Sequence, residues 1–137
     1  MELKDIITDN VETVAPQASL QEAATTMLTR DLGWMPVEEN GKIVGVITDR
    51  DIVIRGVATG MDPETGTVEE VMTREVFSCS IDDSFEDACA LMEDEQVRRL
   101  VVLDEDEGLV GIISLADIAL QGGDESAGVL KRVSEPT

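Results

Sequence analysis

Apolar residues follow two spacings along the chain. From Leu20 they recur at Ala23, Ala24, Met27 and Leu28, the i, i+3, i+4, i+7 pattern of one helix face. Phe85, Ala88, Cys89 and Met92 repeat that pattern further on. A serine stands ahead of each set, in Ser19-x-x-Glu22 and Ser84-x-x-Asp87. These are capping boxes, in which hydroxyl and carboxylate satisfy the unpaired N–H groups of a helix start. Beyond each predicted helix come two short apolar runs joined by a polar turn. The first pair is Met35-Pro36-Val37 and Ile43 to Ile47, around Glu38-Glu39-Asn40-Gly41. The second is Leu100 to Leu103 and Leu109 to Ile113, around Asp104 to Gly108. Continuous runs of this kind read as strands covered on both faces or packed against helices. Short extended pieces are predicted over 11–15 and 76–80, and last helices from Thr48 and from Ser114.

The two sets are copies of one unit. Val11 falls on Val76, Ser19 on Ser84, Ala23 on Ala88, Met27 on Met92 and Val37 on Val102, at an offset of 65 residues. One extra residue in the second turn then shifts the offset to 66, so that Gly45 falls on Gly111 and Asp51 on Asp117. Such self-similarity sets the architecture. The order is strand, helix, strand, strand, helix, twice, an α/β (α+β) fold. Residues 1–60 form the first motif, 61–75 a linker with a short apolar helix from Val68 to Met72, and 76–122 the second motif. Residues 123–137 form a tail with a brief helix around 129–133. One copy alone is too small to bury a generous core, so the two are expected to pack together.

Composition narrows the function. The 137 residues carry 30 Asp and Glu against 10 Lys and Arg, a net charge of −20. That balance excludes a nucleic-acid face and disfavours anionic membranes. With no apolar run of membrane-spanning length and no signal-peptide core after Met1, the expected location is the cytoplasm. Abundant acid with only three lysines suits a halophilic setting, where the Debye length shrinks to about 3 Å at 1 M salt. The plainer reading is an ordinary acidic soluble protein. The absence of histidine removes Ser-His-Asp and Cys-His catalysis and His-ligated zinc, and no other nucleophile has a base partner. Neither an enzyme nor a metal site is expected. Cys79 and Cys89 align with Val14 and Ala24, as small core residues would. The acidic run from Asp104 to Glu107 reads as a solvated hairpin turn.

Chemistry concentrates at the strand-to-helix junctions, Gly45-Val46-Ile47-Thr48-Asp49-Arg50-Asp51 and Gly111-Ile112-Ile113-Ser114-Leu115-Ala116-Asp117. Each puts a hydroxyl three residues before an aspartate at a helix start. Free N–H groups there favour phosphate, and an aspartate one turn in can accept from both hydroxyls of a ribose. The same spacing is also that of a plain capping box, and both readings stay open on spacing alone.

The repeated pattern resembles the cystathionine β-synthase (CBS) domain, and two in tandem resemble a Bateman module. The residues that carry it are Thr13-Val14-Ala15-Pro16, the capped helices, Met35-Pro36-Val37, Gly45 to Ile52, Val97 to Val102 and Gly111 to Ile118. The stretch from Thr48 through Asp62-Pro63 to Thr73 is most similar to stand-alone, stress-related pairs of the hypoxic-response type and to the pair inserted in IMP dehydrogenase.

The resemblance implies two motifs packed about a pseudo-two-fold axis, with a cleft for an adenosine compound: AMP, ADP, ATP or S-adenosylmethionine. Asp51 and Asp117 would hold ribose, while Thr48 and Ser114 would meet phosphate or ribose oxygens. Backbone near Thr13-Val14 and Ser78-Cys79 would frame adenine. Pro36 lies in the same matched segments. Arg98 and Arg99 would contact phosphate, where the first copy has Gly33-Trp34, and Arg50 and Arg55 would add local positive charge. Trp34 could cover an adenine ring or close the core. The expected function is a non-catalytic regulatory module acting on a separate protein target, with no resident cofactor. The alternative is a ligand-free scaffold. Under either reading the apolar helix from Ile52 to Ala58 would pair two chains into a homodimer.

Overall fold

The computed structural model describes residues 2–121. The brief helix expected around 129–133 lies outside them. The chain forms two compact units that do not follow simple chain order. One is Glu12–Val76; the other combines residues 2–11 with residues 77–121.

In the first unit, helix α1 (Leu20–Arg30) leads to strands β1 (Trp34–Glu39) and β2 (Lys42–Thr48), which pair antiparallel. Asn40 and Gly41 join them with φ of 53° and 80°, the left-handed pair that a tight hairpin requires. The chain turns at α2 (Asp49–Asp51), widens into a π-helical turn (Ile52–Gly56) and tightens into a 3₁₀ turn (Val57–Thr59). The linker helix α3 (Val68–Val71) follows. The linker packs into this unit: Val68, Val71 and Met72 share a buried cluster with Leu20, Met27, Met35 and Ile47.

The second unit repeats the plan. Strand β3 (Ser78–Ser80) runs parallel to β4 (Arg99–Leu103), which pairs antiparallel with β5 (Leu109–Ser114). Helix α4 (Phe85–Glu95) precedes β4, and α5 (Leu115–Gln121) follows β5. Leu3, Phe85, Cys89, Met92, Leu100 and Ile113 lie in its core. Both hairpins carry a register shift at the same place, after Val37 and after Val102. Both long helices end in a left-handed residue, Asp31 and Gln96.

A crossing segment extends each sheet. Thr73 exchanges both backbone hydrogen bonds with Val46, at 2.8 and 2.9 Å, and Thr8 does the same with Ile112, at 2.9 Å each. These pairings bring distant stretches of chain onto the outer edges of β2 and β5.

Three local expectations are corrected. The extended piece before α1 is a single parallel bridge, Val14 with Val37, rather than a strand. The last helix of the first copy is not regular, because its second turn is π-helical. Ala24 and Leu28 do not face the core. The buried stripe of α1 is Leu20, Ala23 and Met27, and Leu28, one step further round the helix, is 83% exposed.

Candidate functional site

The end of β2 in the first unit gathers several of the expected residues. Trp34, half-buried, opens β1 directly opposite Thr48, and the Asp49 N–H donates to the Gly33 carbonyl at 3.0 Å. The turn itself is a closed capping box. Asp51 N–H donates to Thr48 Oγ1 at 3.0 Å, and Thr48 N–H donates back to Asp51 Oδ2 at 3.1 Å. Asp51 is the buried charged residue among those described, 8% exposed. Its carboxylate also faces Thr73 Oγ1, at 3.3 and 3.4 Å from its two oxygens, and Arg55 Nε at 3.9 Å.

Arg55 is engaged within the first unit. Its Nη1 donates to the carbonyls of Val71 at 3.4 Å and Met72 at 3.2 Å, at the C-terminal end of α3. Those carbonyls have no partner within the helix, and a cation there also meets the negative end of the helix dipole. Arg50 is exposed, and its N–H donates to Asp49 Oδ1 at 2.8 Å. Thr13 is half-buried. Val14 is bonded to β1 on both sides, donating to Pro36 O at 3.1 Å and accepting from Glu38 N–H at 3.0 Å, and Pro36 is buried.

The equivalent turn in the second unit has the same scaffold and different surroundings. Ser114 lies opposite Arg99, and the Leu115 N–H donates to Arg98 O at 2.8 Å. Ser114 N–H donates to Asp117 Oδ2 at 2.9 Å, and Asp117 N–H to Ser114 Oγ at 3.1 Å. Among the described residues no side chain donates to Asp117, which is half-buried. Arg98 and Arg99, whose backbones pair with this turn, are both exposed. Ser78 is exposed on β3, paired with Val101, two residues beyond Arg99. Cys79 is buried, and burial together with Asp83 pushes its thiol from 9.0 to about 11. Its sulfur belongs to the core, so any contact with a ligand falls to its backbone.

The turns thus share a backbone frame that the repeat foretold. They differ in what reaches the aspartate. Thr73 and Arg55 escaped notice as parts of the first turn. Arg55 had a signal in its i+4 spacing from Asp51, whereas nothing local points to Thr73, 22 residues away.

The frame and its repetition agree with a family match: the CBS domain model fits residues 3–57 and 68–121. The chain belongs to the CBS domain family. This CBS pair is 45% identical over 127 residues to the CBS domain-containing protein YhcV of Bacillus subtilis, covering 92% of this chain and 89% of that one. It is 38% identical over 117 residues to hypoxic response protein 1 of Mycobacterium tuberculosis, covering 85% and 81%. A crystal structure of hypoxic response protein I with two coordinated zinc ions superposes with a TM-score of 0.76, at 36% identity over 88% of this chain and 98% of that one. A crystal structure of the MJ0100 CBS pair, in complex with 5′-methylthioadenosine and S-adenosylmethionine, also has a TM-score of 0.76. It is 28% identical and covers 91% and 98%.

Among the described residues no set of donors fits zinc. The chain has no histidine, and the described residues bring no three Cys, Asp or Glu side chains together. In the acidic hairpin Asp104 Oδ1 already accepts from the N–H groups of Asp106 and Gly108, each at 2.9 Å. Among the described residues, no helix is long and apolar enough to cross a membrane.

The CBS pair also presents an apolar face on its first unit. Leu28 of α1, together with Val53 and Val57 of the turns after β2 (53% and 60% exposed), points outward. A groove of about 460 Å³ runs between these elements, lined by Leu20, Ala24, Ile52, Val57 and Pro63 among others. Gly56 permits the close approach, since a Cβ there would sit 2.9 Å from Leu20 Cδ1.

Proposed function

We propose that this CBS pair is a non-catalytic regulatory module that senses an adenosine-containing ligand and acts in trans on a separate protein. The observation that carries the reading is the Ser114–Asp117 turn. Its aspartate already holds the backbone in place through Oδ2 and keeps acceptor capacity for ribose hydroxyls, since a carboxylate offers about four lone-pair sites. The neighbouring arginines, Arg98 and Arg99, supply planar donors suited to phosphate in an otherwise acidic chain. The adenosine compounds held by the MJ0100 pair support the same ligand class. AMP and the sulfonium of S-adenosylmethionine suit the chain's net charge of −20 better than the more highly charged ATP.

Substitution tests the assignment. Asp117→Ala is expected to abolish adenosine binding in calorimetry, and Arg98→Ala to weaken AMP by roughly 10-fold or more while leaving adenosine nearly unchanged. Wild-type affinity in both variants contradicts the assignment.

The apolar face on α1 and the turns after β2 supports a second reading, a homodimeric interaction module without ligand. A homodimer through that face is compatible with the sensor as well, with the partner's response set by the ligand's differential affinity for two arrangements.

A further inference from the structure

The two Thr/Ser-x-x-Asp turns are equal in sequence spacing and unequal in what surrounds them. We infer that Asp51 is a structural clasp, and that Thr73 and Arg55 close the first turn to ligand. Asp51 sits at the junction of three pieces of chain. Its Oδ2 holds the Thr48 N–H, and both oxygens share the hydroxyl of Thr73, on the segment that crosses β2. Arg55 lies 3.9 Å from Oδ1 and extends to the carbonyls that end α3. One buried carboxylate thereby ties the start of α2, the π-helical turn and the linker to each other. The individual Thr73 distances are long for hydrogen bonds; the clasp consists of their combination with the cation and the burial.

A ribose at Asp51 would have to take acceptor sites from Thr73 and Arg55, and so break the side-chain ties between the turn and the linker. Among the described residues the second unit shows no such competition. Thr8 crosses β5 by the same pair of backbone bonds, but it is exposed, and among the described residues its hydroxyl does not reach Asp117. The residue in the place of Arg55 is Gln121, which carries no charge. Resting on the regulatory reading above, this implies one ligand per chain, held at the second turn.

The clasp has a test that needs no ligand. An asparagine at position 51 or 117 keeps an oxygen for the capping N–H, so the substitution removes the charge and replaces the second acceptor with an N–H2 donor. Asp51→Asn is expected to lower the melting temperature by about 4–8 °C, and Asp117→Asn by less than half as much. Thr73→Val is expected to lower it as well, and to add little when combined with Asp51→Asn. Equal effects of the two asparagines, or full additivity of Asp51→Asn with Thr73→Val, overturn the clasp. In calorimetry with AMP and S-adenosylmethionine, Asp51→Asn should retain one site per chain. Two sites in the wild type, or loss of binding in a folded Asp51→Asn protein, overturn the closure of the first turn while leaving the regulatory reading intact. Silence from every ligand removes the regulatory reading and the one-site claim together, and the melting comparison still decides the clasp.

Discussion

A Cβ on Gly111 would stand 2.6 Å from the carbonyl oxygen of Thr8, the oxygen that accepts from the Ile112 N–H. Gly45 stands in the same relation to Thr73, at 2.8 Å. In each unit a glycine on the second hairpin strand makes room for the crossing segment that extends the sheet. The obstacle is backbone held on both sides by hydrogen bonds, so it cannot swing aside as a flexible side chain would.

Gly111→Ala and Gly45→Ala are each expected to destabilise the fold by about 1–3 kcal/mol through overpacking. Chemical denaturation checks this by the shift in midpoint at constant slope. Gly41→Ala gives a useful contrast. Nothing lies within 4 Å of its missing Cβ, so only the left-handed backbone (φ of 80°) opposes the substitution. Its cost is expected at about 1 kcal/mol.

Cys79 makes stability depend on pH in the alkaline range. Its thiol is neutral at pH 7 and titrates near 11 in the folded chain against 9.0 ordinarily. The folded state therefore holds the proton more tightly, and this contribution is fully present below pH 9 and lost as pH rises from 9 through 11. Denaturant midpoints measured between pH 8 and 11 should fall, and Cys79→Ala should flatten part of that fall. A thiol reagent at pH 7.5 should label Cys79 only after unfolding.

The exposed apolar face of the first unit should join two chains. If the face pairs two chains, Val57→Glu and Leu28→Glu are expected to give a folded monomer whose melting temperature no longer depends on protein concentration. Light scattering at micromolar concentration reads the mass. A wild-type monomer, or dimers that survive both substitutions, count against the pairing.

Much of this architecture is legible in the chain. The 65-residue offset locates both helices, both hairpins and both serine N-caps, because each depends on neighbours a few residues apart; of the two expected capping boxes only the hydroxyl half forms, Ser19 and Ser84 accepting from the Glu22 and Asp87 N–H groups. Contacts between distant segments are not written in any local pattern. Thr8 meets Ile112 and Thr73 meets Val46 through backbone groups, which every residue carries. The burial of Asp51 follows from those crossings, and so does the recruitment of Arg55. At the site, the Thr-x-x-Asp and Ser-x-x-Asp spacings correctly mark two helix starts, and the same spacing hides the difference between them. The exposure of Leu28 was equally hidden, since the i+4 and i+8 positions, Ala24 and Leu28, widen the apolar face beyond the i, i+3, i+7 stripe that α1 buries.

Calorimetric titration of the wild-type chain with AMP, ADP, ATP and S-adenosylmethionine, at low salt and in molar KCl, tests the central claim most directly. Trp34 fluorescence provides an independent signal on the same samples. The account predicts saturable binding of at least one of the four, with one site per chain, abolished by Asp117→Ala. No heat and no fluorescence change from all four, in folded protein, would contradict it and leave the interaction module as the function of this CBS pair.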